Sequence, residues 1–409
     1  MQISEHDSSK TLSLASKAGR ILLESGAEIS RVEETMERIA GHYGENTENF
    51  FVLSNGIFTT GDSYSNVEFI PMKGARLDKV AEVNQLSREI VGKNLTIDES
   101  VSRLEAIDRM PAKPIWEQLV GVAIGCAGFC IIFGGSLMDS VAATVAGAAM
   151  YAFILFAGAR LMSKPLSNIC GGFLGTLLCI LFHRLGFGDN LGNIIIGTLI
   201  PLIPGVPFTN GLRDLANEDY LAGTTRLLDA LMVFFCIAIG VCLSFITHSW
   251  LAGGMIQLHG TVIDPKTSIF PIQLIAALAG TSAFAVLFSV PRDQYLAAGM
   301  VGMVGWLVYM LIVRYTGLSV VGGTFFATVC VALFSRKLAV VRKCPSTIFL
   351  ICGIFPLIPG AGVFWSSYYI VSNSLHSALH SGLTAVEVTI AIVLGIIIVM
   401  NIIHPKRKR

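Results

Sequence analysis

One pentapeptide with the composition of a helix break occurs twice, as Pro-Leu-Ile-Pro-Gly at 201–205 and again at 356–360. Proline cannot donate a backbone hydrogen bond, and its ring clashes with the preceding turn, so two prolines three residues apart predict that a helix stops. Within a membrane, the carbonyl and amide groups freed at such a break can bind a solute or an ion. A kink without a ligand, or a loop at the membrane surface, is the alternative interpretation.

Polar and flexible residues at and after the two breaks are the candidates for binding a small molecule. About ten apolar residues precede each break, and at 1.5 Å per residue they span about 15 Å, half the hydrocarbon thickness. The breaks are therefore expected near the middle of the membrane, where half-helix amides suit a carboxylate and freed carbonyls suit an ammonium group. The candidate substrate-binding residues are Pro204, Gly205, Thr209, Asn210, Pro359, Gly360 and Ser366.

Three carboxylates are candidates for carrying a proton, namely Asp214, Asp229 and Glu387. Acidic residues within a membrane are costly and usually functional. Asp229 and Glu387 stand near the starts of their apolar segments, so an ordinary carboxylate at the membrane surface is the alternative. Asp139, in a short loop, is expected to be solvated, and the acids between 24 and 48 are expected to form a solvated helix face.

Other chemistry is poorly supported by the sequence. His376 and His380 have i, i+4 spacing but no evident third ligand, so no metal is expected. All nine cysteines lie between 126 and 352, and we interpret them as small apolar residues rather than a disulfide framework. No glycine-rich phosphate loop and no Gly-x-Ser-x-Gly motif is present, so neither a cofactor nor an enzymatic site is predicted.

Composition divides the chain into two unlike parts. Of 409 residues, 53% are apolar and 14% are charged, whereas soluble proteins carry about 25% charged residues. Residues 1–114 hold 31 of the 57 charged side chains, and the apolar residues of the remainder come in blocks rather than in alternation. This pattern excludes a wholly soluble protein and argues against a transmembrane β-barrel. A net charge of +1 gives no reason to expect nucleic acid as a partner.

The apolar blocks predict ten membrane-spanning helices. With the N-terminus inside the cell, thirteen basic residues fall in inner loops or the tail, and Arg184, Lys266 and Arg314 fall outside. This asymmetry predicts a multi-pass protein of the cell membrane with both termini in the cytoplasm. The predicted spans are 117–136, 140–158, 166–185, 227–247, 271–290, 294–313, 318–335 and 384–404, plus two interrupted spans that begin near 191 and 346.

The two pentapeptides are 155 residues apart and fall in the fourth span of each half, and Gly147 and Gly302 have the same offset. The openings of the fifth spans, with Asp229 and Glu387, are also taken as equivalent. Five spans is an odd number, so the second copy must be inverted relative to the first. Inverted repeats are typical of secondary transporters. The predicted parts are a domain at 1–114, five-span repeats at 115–250 and 268–405, and a basic tail at 406–409.

The N-terminal residues predict a small cytoplasmic α+β domain, in part because no apolar leader precedes it. Apolar residues at helical spacing predict one helix over 10–43, with Glu28 and Arg31 spaced for a surface ion pair. Strands are expected at 49–60 and 64–71 and a helix at 75–93. Thr96 and Glu99 form a capping-box pattern that opens a last helix.

Several of these motifs resemble the threonine/serine exporter family. The similarity covers the whole chain, which is similar to the fused, single-chain form of the family. The second break lacks an Arg-Asp pair like that of the first. The residues that carry the resemblance are Ser25-Gly26-Ala27-Glu28, Arg31-Val32-Glu33-Glu34, Gly56-Ile57-Phe58, Pro204-Gly205-Val206-Pro207, Asn210, Arg213-Asp214 and Gly223.

The resemblance implies export of L-threonine and L-serine coupled to the proton motive force. It also implies ten spans and a cytosolic N-terminal domain. Some two-protein relatives are linked to dicarboxylate export, so export of succinate is the alternative, and a channel or a membrane-bound regulatory or enzymatic protein is a weaker one. The expected partners are a small-molecule substrate, protons and the lipid bilayer, and homo-oligomerisation is left open.

Overall fold

The computed structural model describes residues 5–46, 49–61, 64–71, 74–258 and 270–403. The predicted basic tail at 406–409 and Lys266 lie outside the described residues. Helices make up most of the described chain, and one small sheet lies near the N-terminus.

The N-terminal region begins with α1 (Glu5–Glu24) and α2 (Ile29–His42), where one helix over 10–43 was predicted. That prediction was wrong at its centre, because Gly26 has a φ of +81° and Glu28 is extended. Glycine adopts this left-handed conformation without the clash that a Cβ would cause, so the helix ends there and another begins.

A three-stranded antiparallel sheet follows, built from β1 (Phe50–Leu53), β2 (Gly56–Thr60) and β3 (Ser65–Phe69) in that order. Phe58 on β2 pairs with Phe51 on one side and Val67 on the other. The strands predicted at 49–60 and 64–71 are thus confirmed, the first of them divided into β1 and β2. Two helices complete this region, α3 (Leu77–Lys93) and α4 (Ile97–Asp108), and the predicted capping box of Thr96 and Glu99 is confirmed at the start of α4.

Most of the remaining helices are long and apolar. Among the described residues, nine are long enough to cross a membrane, and the count is ten if the bent pair α9 and α10 forms one span. This agrees with the predicted number of spans. The helices are α5 (Ile115–Ile132), α6 (Leu137–Phe153), α7 (Ala159–Leu161), α8 (Lys164–Arg184), α9 (Leu191–Leu199), α10 (Gly205–Ala216), α11 (Tyr220–Ala252), α12 (Phe270–Leu287), α13 (Tyr295–Tyr315), α14 (Val320–Arg342), α15 (Ser346–Ile354), α16 (Gly360–Val371) and α17 (Leu375–Ile403). A π-helical turn at Ile154–Gly158 joins α6 to α7.

Asp139 is buried rather than solvated, contrary to the sequence-based expectation. It forms a capping box with Ser136 at the start of α6. Its carboxylate also accepts hydrogen bonds from the backbone amides of Asp189 and Asn190, at 2.7 and 3.0 Å. The side chain therefore ties the start of α6 to the loop before α9.

Both predicted breaks are present, and they differ in shape. Each pentapeptide forms a short 3₁₀ turn, at Ile200–Leu202 and Phe355–Leu357, after which a new helix begins at the glycine. The chain bends by 69° between α9 and α10, whereas Ser346–Val371 runs on as one apolar span. The first break therefore turns the chain sharply, and the second interrupts a helix that continues.

The two breaks lie against each other. A Cβ placed on Gly205 would come within 2.7 Å of the Phe355 ring, and one placed on Gly360 would collide with the Ile203 side chain. Ile203 of the first break therefore packs on Gly360 of the second. Phe355, the residue just before the second pentapeptide, packs on Gly205 of the first. The two segments therefore meet inside the protein.

The same contacts recur at an offset of 155 residues. α5 packs on α6 as α12 packs on α13, and α8 packs on α11 as α14 packs on α17. Glycines that pack closely against a neighbouring helix also recur at the offset of 155 residues. Within each matched pair, a Cβ added to either glycine would contact side-chain or backbone atoms of residues that are themselves 155 positions apart. The matched pairs are Gly147 on Cys126 with Gly302 on Thr281, Gly240 on Phe173 with Gly395 on Thr328, and Gly125 on Phe284 with Gly280 on Phe129.

Candidate functional site

The loop between α1 and α2, residues Ser25–Glu28, is inserted against the long apolar helices. The backbone carbonyl of Gly26 accepts a hydrogen bond from Asn210 Nδ2 on α10. The carbonyl of Ala27 accepts one from Arg226 Nη2 on α11, at 2.8 Å. A Cβ on Gly26 would lie 3.4 Å from Val206, so a glycine also suits the close contact. The loop is therefore held through its backbone by two helices of the apolar region.

Asp214 and Arg226 form a buried ion pair beside this loop. Asp214 Oδ2 lies 2.6 Å from Arg226 Nη1, and the two side chains are 0% and 2% exposed. Asp214 Oδ1 accepts a hydrogen bond from the backbone amide of Ile29, at 3.3 Å. Ile29 is the first residue of α2, so the carboxylate also meets the positive end of that helix. The pair thus links α10, α11 and the N-terminal region.

Glu28 is fully buried at the same place, which corrects the expectation of a solvated face for the acids at 24–48. Its carboxylate lies 2.8 Å from Arg31 Nε and 3.2 Å from Arg213 Nη1. It also accepts a hydrogen bond from Thr347 Oγ1, at 2.8 Å, in the first turn of α15. The predicted pair of Glu28 and Arg31 is present, but it is enclosed rather than on the surface.

Electrostatics keep Glu28 ionised. Burial alone would raise the pKa of this carboxyl, but the guanidinium groups of Arg213 and Arg31 and the hydrogen bond from Thr347 lower the pKa to about 2. We call the residues Glu28, Arg31, Arg213, Asp214, Arg226 and Thr347 the polar cluster. It joins the N-terminal region to α10, α11 and α15.

Two of the predicted site residues belong to this contact, Asn210 through the loop carbonyl and Asp214 through Arg226. Thr209 is buried next to them, and neither its hydroxyl nor Asn210 Oδ1 has a hydrogen-bond partner among the described residues. Pro204 and Gly205 lie at the first break, where Gly205 packs on Phe355. These five residues therefore lie along one stretch of chain, from the break to the polar cluster.

The other predicted residues lie elsewhere. Asp229 and Glu387 are exposed on the outer faces of α11 and α17. In the register of the matched glycine pairs, Asp229 corresponds to Thr384 and not to Glu387. Gly360 contacts Ile203, and Pro359 and Ser366 line an apolar cavity of about 490 Å³ between α11, α16 and α17.

A second cavity, of about 330 Å³, lies directly on the second break. It is lined by residues of the break and of the helix that follows it, together with Trp306, Tyr309, Thr324 and Thr384. The two threonine hydroxyls donate hydrogen bonds to the carbonyls of Val320 and His380 on their own helices. Pockets that bind small molecules have volumes of about 300–1,000 Å³ and combine apolar walls with a few polar groups. We call this the break cavity.

The break cavity lies toward the end of the helices that is far from the N-terminal region. Thr324 is near the start of α14 and Thr384 is in the first half of α17. The last parts of both helices instead border Arg213, on the side of the polar cluster. One end of the apolar region therefore carries an open cavity, and the other carries a closed network of charges.

Two family models match the sequence. One, described as a putative threonine/serine exporter, covers residues 13–247, and the other, described as threonine/serine exporter, ThrE, covers residues 273–402. The chain belongs to the threonine/serine exporter family. This family consists of transporters, so the protein is an integral membrane transporter and not an enzyme. The resemblance inferred from the motifs is confirmed.

Relatives within and beyond the threonine/serine exporters cover much of the chain. A probable threonine/serine exporter of Mycobacterium tuberculosis is 22% identical over 94% of this chain and 76% of its own length. The threonine/serine exporter of Corynebacterium glutamicum is 24% identical over 93% and 79%. A probable succinate transporter subunit of Escherichia coli is 25% identical over 56% of this chain and 92% of that protein. No solved structure matches the chain.

The sequence marked Asp214 as a proton-carrier candidate and Glu28 with Arg31 as a surface ion pair, but it did not show that the Ser25–Glu28 and Arg213-Asp214 motifs contact each other. An isolated acid with an arginine three residues later, Glu28 and Arg31, was the available signal. Thr347 and Arg226 carried no such signal, because a threonine two residues after a proline and an arginine just before a predicted apolar span are common. Among the described residues, no group of three or more His, Cys, Asp or Glu is placed to hold a metal ion.

Proposed function

We propose that the protein exports small hydroxy amino acids, L-threonine and L-serine, across the cell membrane in exchange for protons. The observation that carries the proposal is the break cavity, which exposes an interrupted backbone to a space of amino-acid size within a threonine/serine exporter family member. The two relatives named threonine/serine exporters, similar over more than nine-tenths of this chain, support the substrate class.

The proposed architecture is two five-span repeats, 115–250 and 268–405, in opposite orientations, after a cytoplasmic domain at 1–114. Contacts that recur at the offset of 155 residues, such as Gly147 on Cys126 and Gly302 on Thr281, support it. The excess of basic residues in one set of loops supports cytoplasmic termini. In such an arrangement, an outward cavity at one break has an inward counterpart at the other, which is the basis of alternating access.

The solute binds at the break cavity in this proposal. The hydroxyls of Thr324 and Thr384 and the ring of Tyr309 meet its polar and apolar parts. The carbonyls of Pro356 and Leu357 are the candidates for its ammonium group, because broken helices present acceptors that the helix does not use. The carbonyls of Ile358 and Pro359 already accept hydrogen bonds from the amides of Gly360 and Val363. Pro359 lies between this cavity and the larger apolar one, and Gly360 and Ser366 follow it on α16.

Asp214, Asp229 and Glu387 are the proposed carriers of the coupled proton. Asp214 is enclosed and paired with Arg226, so its protonation would weaken the contact between α10, α11 and the start of α2. Asp229 and Glu387 are exposed near the starts of the apolar parts of α11 and α17. Acids at such depths are the usual sites of proton exchange in transporters.

Export of a dicarboxylate is the second candidate, because the relative from Escherichia coli is named as a probable succinate transporter subunit. The deciding experiment is uptake of radiolabelled L-threonine into proteoliposomes with an imposed pH gradient, in competition with L-serine and with succinate. Gradient-driven accumulation blocked by L-serine supports the amino-acid exporter. Transport of succinate without L-threonine moves the substrate to dicarboxylates, and facilitated flux that ignores the gradient contradicts proton coupling.

A matched pair of variants tests the break cavity in the same assay. Tyr309→Phe removes a hydroxyl from the cavity, and Tyr315→Phe removes one from an exposed side chain at the end of the same helix. We expect about a tenfold loss of L-threonine affinity in the first variant and none in the second, because one hydrogen bond to a bound solute contributes that much. Equal affinities would place the solute elsewhere.

A further inference from the structure

The residues of the second half that line the break cavity have counterparts 155 positions earlier, in the register of the matched glycine pairs. Leu357 of the second break corresponds to Leu202 of the first, and Tyr309 on α13 corresponds to Ile154 at the end of α6. The two breaks lie against each other. A cavity built from these counterparts would therefore reach the same middle part of the molecule from the opposite side.

At the first break, this place is occupied by Ile154. A Cβ placed on Gly171 of α8 would lie 3.1 Å from Ile154 Cδ1 and 3.6 Å from Leu202 Cδ1, so both side chains meet at this glycine. Leu202 is only 8% exposed. The side chain of Ile154 therefore packs between α8 and the first break, and the lack of a side chain on Gly171 permits the close contact.

The second half packs differently at the equivalent place. A Cβ placed on Gly323 of α14 would lie 3.2 Å from the ring of Tyr309, which lines the open break cavity. Gly323 corresponds to Asn168, three residues before Gly171 on α8. Ile154 therefore meets its neighbouring helix about one turn further along than Tyr309 does.

A π-helical turn at Ile154–Gly158 accompanies this difference, whereas α13 is a regular α-helix from Tyr295 to Tyr315. Its i→i+5 bonds take in one residue more per turn than those of an α-helix, and such turns are frequent at functional sites. Because Asp139 ties the start of α6 to the loop before α9, the turn at its other end lies on the side of the polar cluster. Equivalent elements thus have two discrete packings, as in molecules that switch between states.

We infer that the first break carries a second solute cavity, which opens toward the N-terminal region in another state of the transporter, and that Ile154 is the gate that fills it here. In that state the π-helical turn takes the regular form of α13, and Ile154 leaves Gly171 and Leu202. The inference rests on the proposed function, since it supplies the site at which the exported solute enters. From there the solute reaches the break cavity through the contact of the two breaks.

The two cavities would differ in charge. Asp229 corresponds to Thr384, so the cavity at the first break has a carboxylate where the break cavity has a hydroxyl. Asp229 is exposed in the present structure. A carboxylate attracts the ammonium group of an amino acid and repels both charges of a dicarboxylate. The entry site therefore selects a zwitterion such as L-threonine over succinate.

The test measures how fast a membrane-impermeant maleimide labels Leu202→Cys in inverted membrane vesicles, whose outer surface is the cytoplasmic side. Each rate is corrected for the same chain without Leu202→Cys, which removes the contribution of the native cysteines. We expect Ile154→Ala to speed labelling at least about tenfold, because lost packing favours the open form. Phe156→Ala is the matched control, since Phe156 is exposed on the same turn and its truncation should change nothing.

Addition of solute tests the binding site in the chain that carries both Ile154→Ala and Leu202→Cys. We expect L-threonine to slow its labelling and succinate to leave the rate unchanged. Should Ile154→Ala lower the thermal unfolding midpoint, Ile154→Val removes less of the side chain and should give a smaller increase in the same direction.

Equal labelling rates in Ile154→Ala and Phe156→Ala, with unchanged unfolding midpoints, would overturn the gate. Labelling that succinate slows as much as L-threonine, or that neither solute slows, would overturn the entry site. If the unsubstituted chain transports L-threonine in proteoliposomes while neither solute slows labelling, this inference fails and the proposed function stands. Protection by L-threonine without gradient-driven transport would count against the proposed function alone.

Discussion

At the scale of single residues, the most distinctive feature is a set of charges buried between the N-terminal region and the long helices. Burying a charge is costly unless it is paired and hydrogen-bonded. Glu28 meets this condition with Arg31, Arg213 and Thr347, and Asp214 meets it with Arg226 and the start of α2. Removing one partner therefore leaves another charge uncompensated, and the effects of substitutions here can be predicted in sign.

The low pKa of the buried Glu28 carboxyl predicts that the folded protein loses stability in acid. Its folded pKa is about 2, below the unfolded value of 4.5, so its contribution is complete above pH 4.5 and is lost as the pH falls from 4.5 toward 2. Glu28→Gln should be less stable at neutral pH, because Arg213 and Arg31 lose their counter-ion, and should lack this part of the pH dependence. Thermal unfolding midpoints of the full chain in detergent between pH 6 and pH 3 measure both effects.

Glu34→Gln is the matched control, since Glu34 is 60% exposed and pairs with Arg38 four residues later. We expect its pH profile to match that of the unsubstituted chain, because exposed pairs contribute little. A Glu28→Gln variant with the same acid sensitivity as the unsubstituted chain would contradict the assignment.

We expect the Asp214→Asn substitution to destabilise the folded protein, in addition to any effect on transport. Arg226 would remain buried without a counter-ion, which costs about 3–5 kcal/mol in comparable sites. Asp229→Asn changes an exposed carboxylate and should cost less than about 0.5 kcal/mol. Chemical denaturation of both variants measures the difference. Equal stabilities would mean that the ion pair of Asp214 and Arg226 does not hold these helices.

At the scale of elements, small residues set how closely the helices approach. Glycines on α6, α11, α13 and α17 face a neighbouring helix at positions where an added Cβ would collide. Association of helices in membranes depends on such close packing, because lipid provides no hydrophobic driving force between them. The positions recur at 155 residues, so the packing of the two halves follows one pattern.

Gly240→Ala is predicted to destabilise the packing of α11 on α8. The new Cβ would meet the backbone oxygen of Ile169 and the backbone nitrogen of Phe173, which cannot rotate away as a side chain could. Overpacking of this kind costs about 1–3 kcal/mol. Gly92→Ala on α3 is the control, because its Cβ would meet nothing within 4 Å and alanine favours a helix by about 1 kcal/mol.

Unfolding midpoints of these two variants should therefore shift in opposite directions. Gly395→Ala, at the equivalent position on α17, should behave like Gly240→Ala, since its Cβ would lie 2.9 Å from Thr328. A stabilised Gly240→Ala variant would show that α8 and α11 are less closely packed than described.

At the scale of the whole molecule, one end is open at the break cavity and the other is closed by the polar cluster. Thr384→Cys places a thiol in the break cavity, and Ser346→Cys places one beside Arg213. In intact cells, a membrane-impermeant maleimide should label Thr384→Cys above the background of the unsubstituted chain and should leave Ser346→Cys unlabelled. The reverse pattern would mean that the N-terminal region faces the outside.

The sequence by itself determined the features that depend on local chemistry. Each membrane span, proline pair and basic loop is a feature of no more than about 20 consecutive residues. The number of spans and the positions of both breaks could therefore be predicted. The capping box of Thr96 and the strands near Gly56 belong to the same class. The family could also be recognised, because its motifs are short and contiguous.

Only the tertiary structure decided which motifs meet. Glu28 and Thr347 are 319 positions apart and share a hydrogen bond, and Asp214 binds Ile29 across 185. No local pattern encodes such pairs, because they depend on how the helices pack and where the bent break aims α10. Gly26 ended a helix that its apolar periodicity would have continued, and the carboxylate after it became buried. The physical reason is that burial and charge pairing are properties of packed surfaces rather than of sequence spacing.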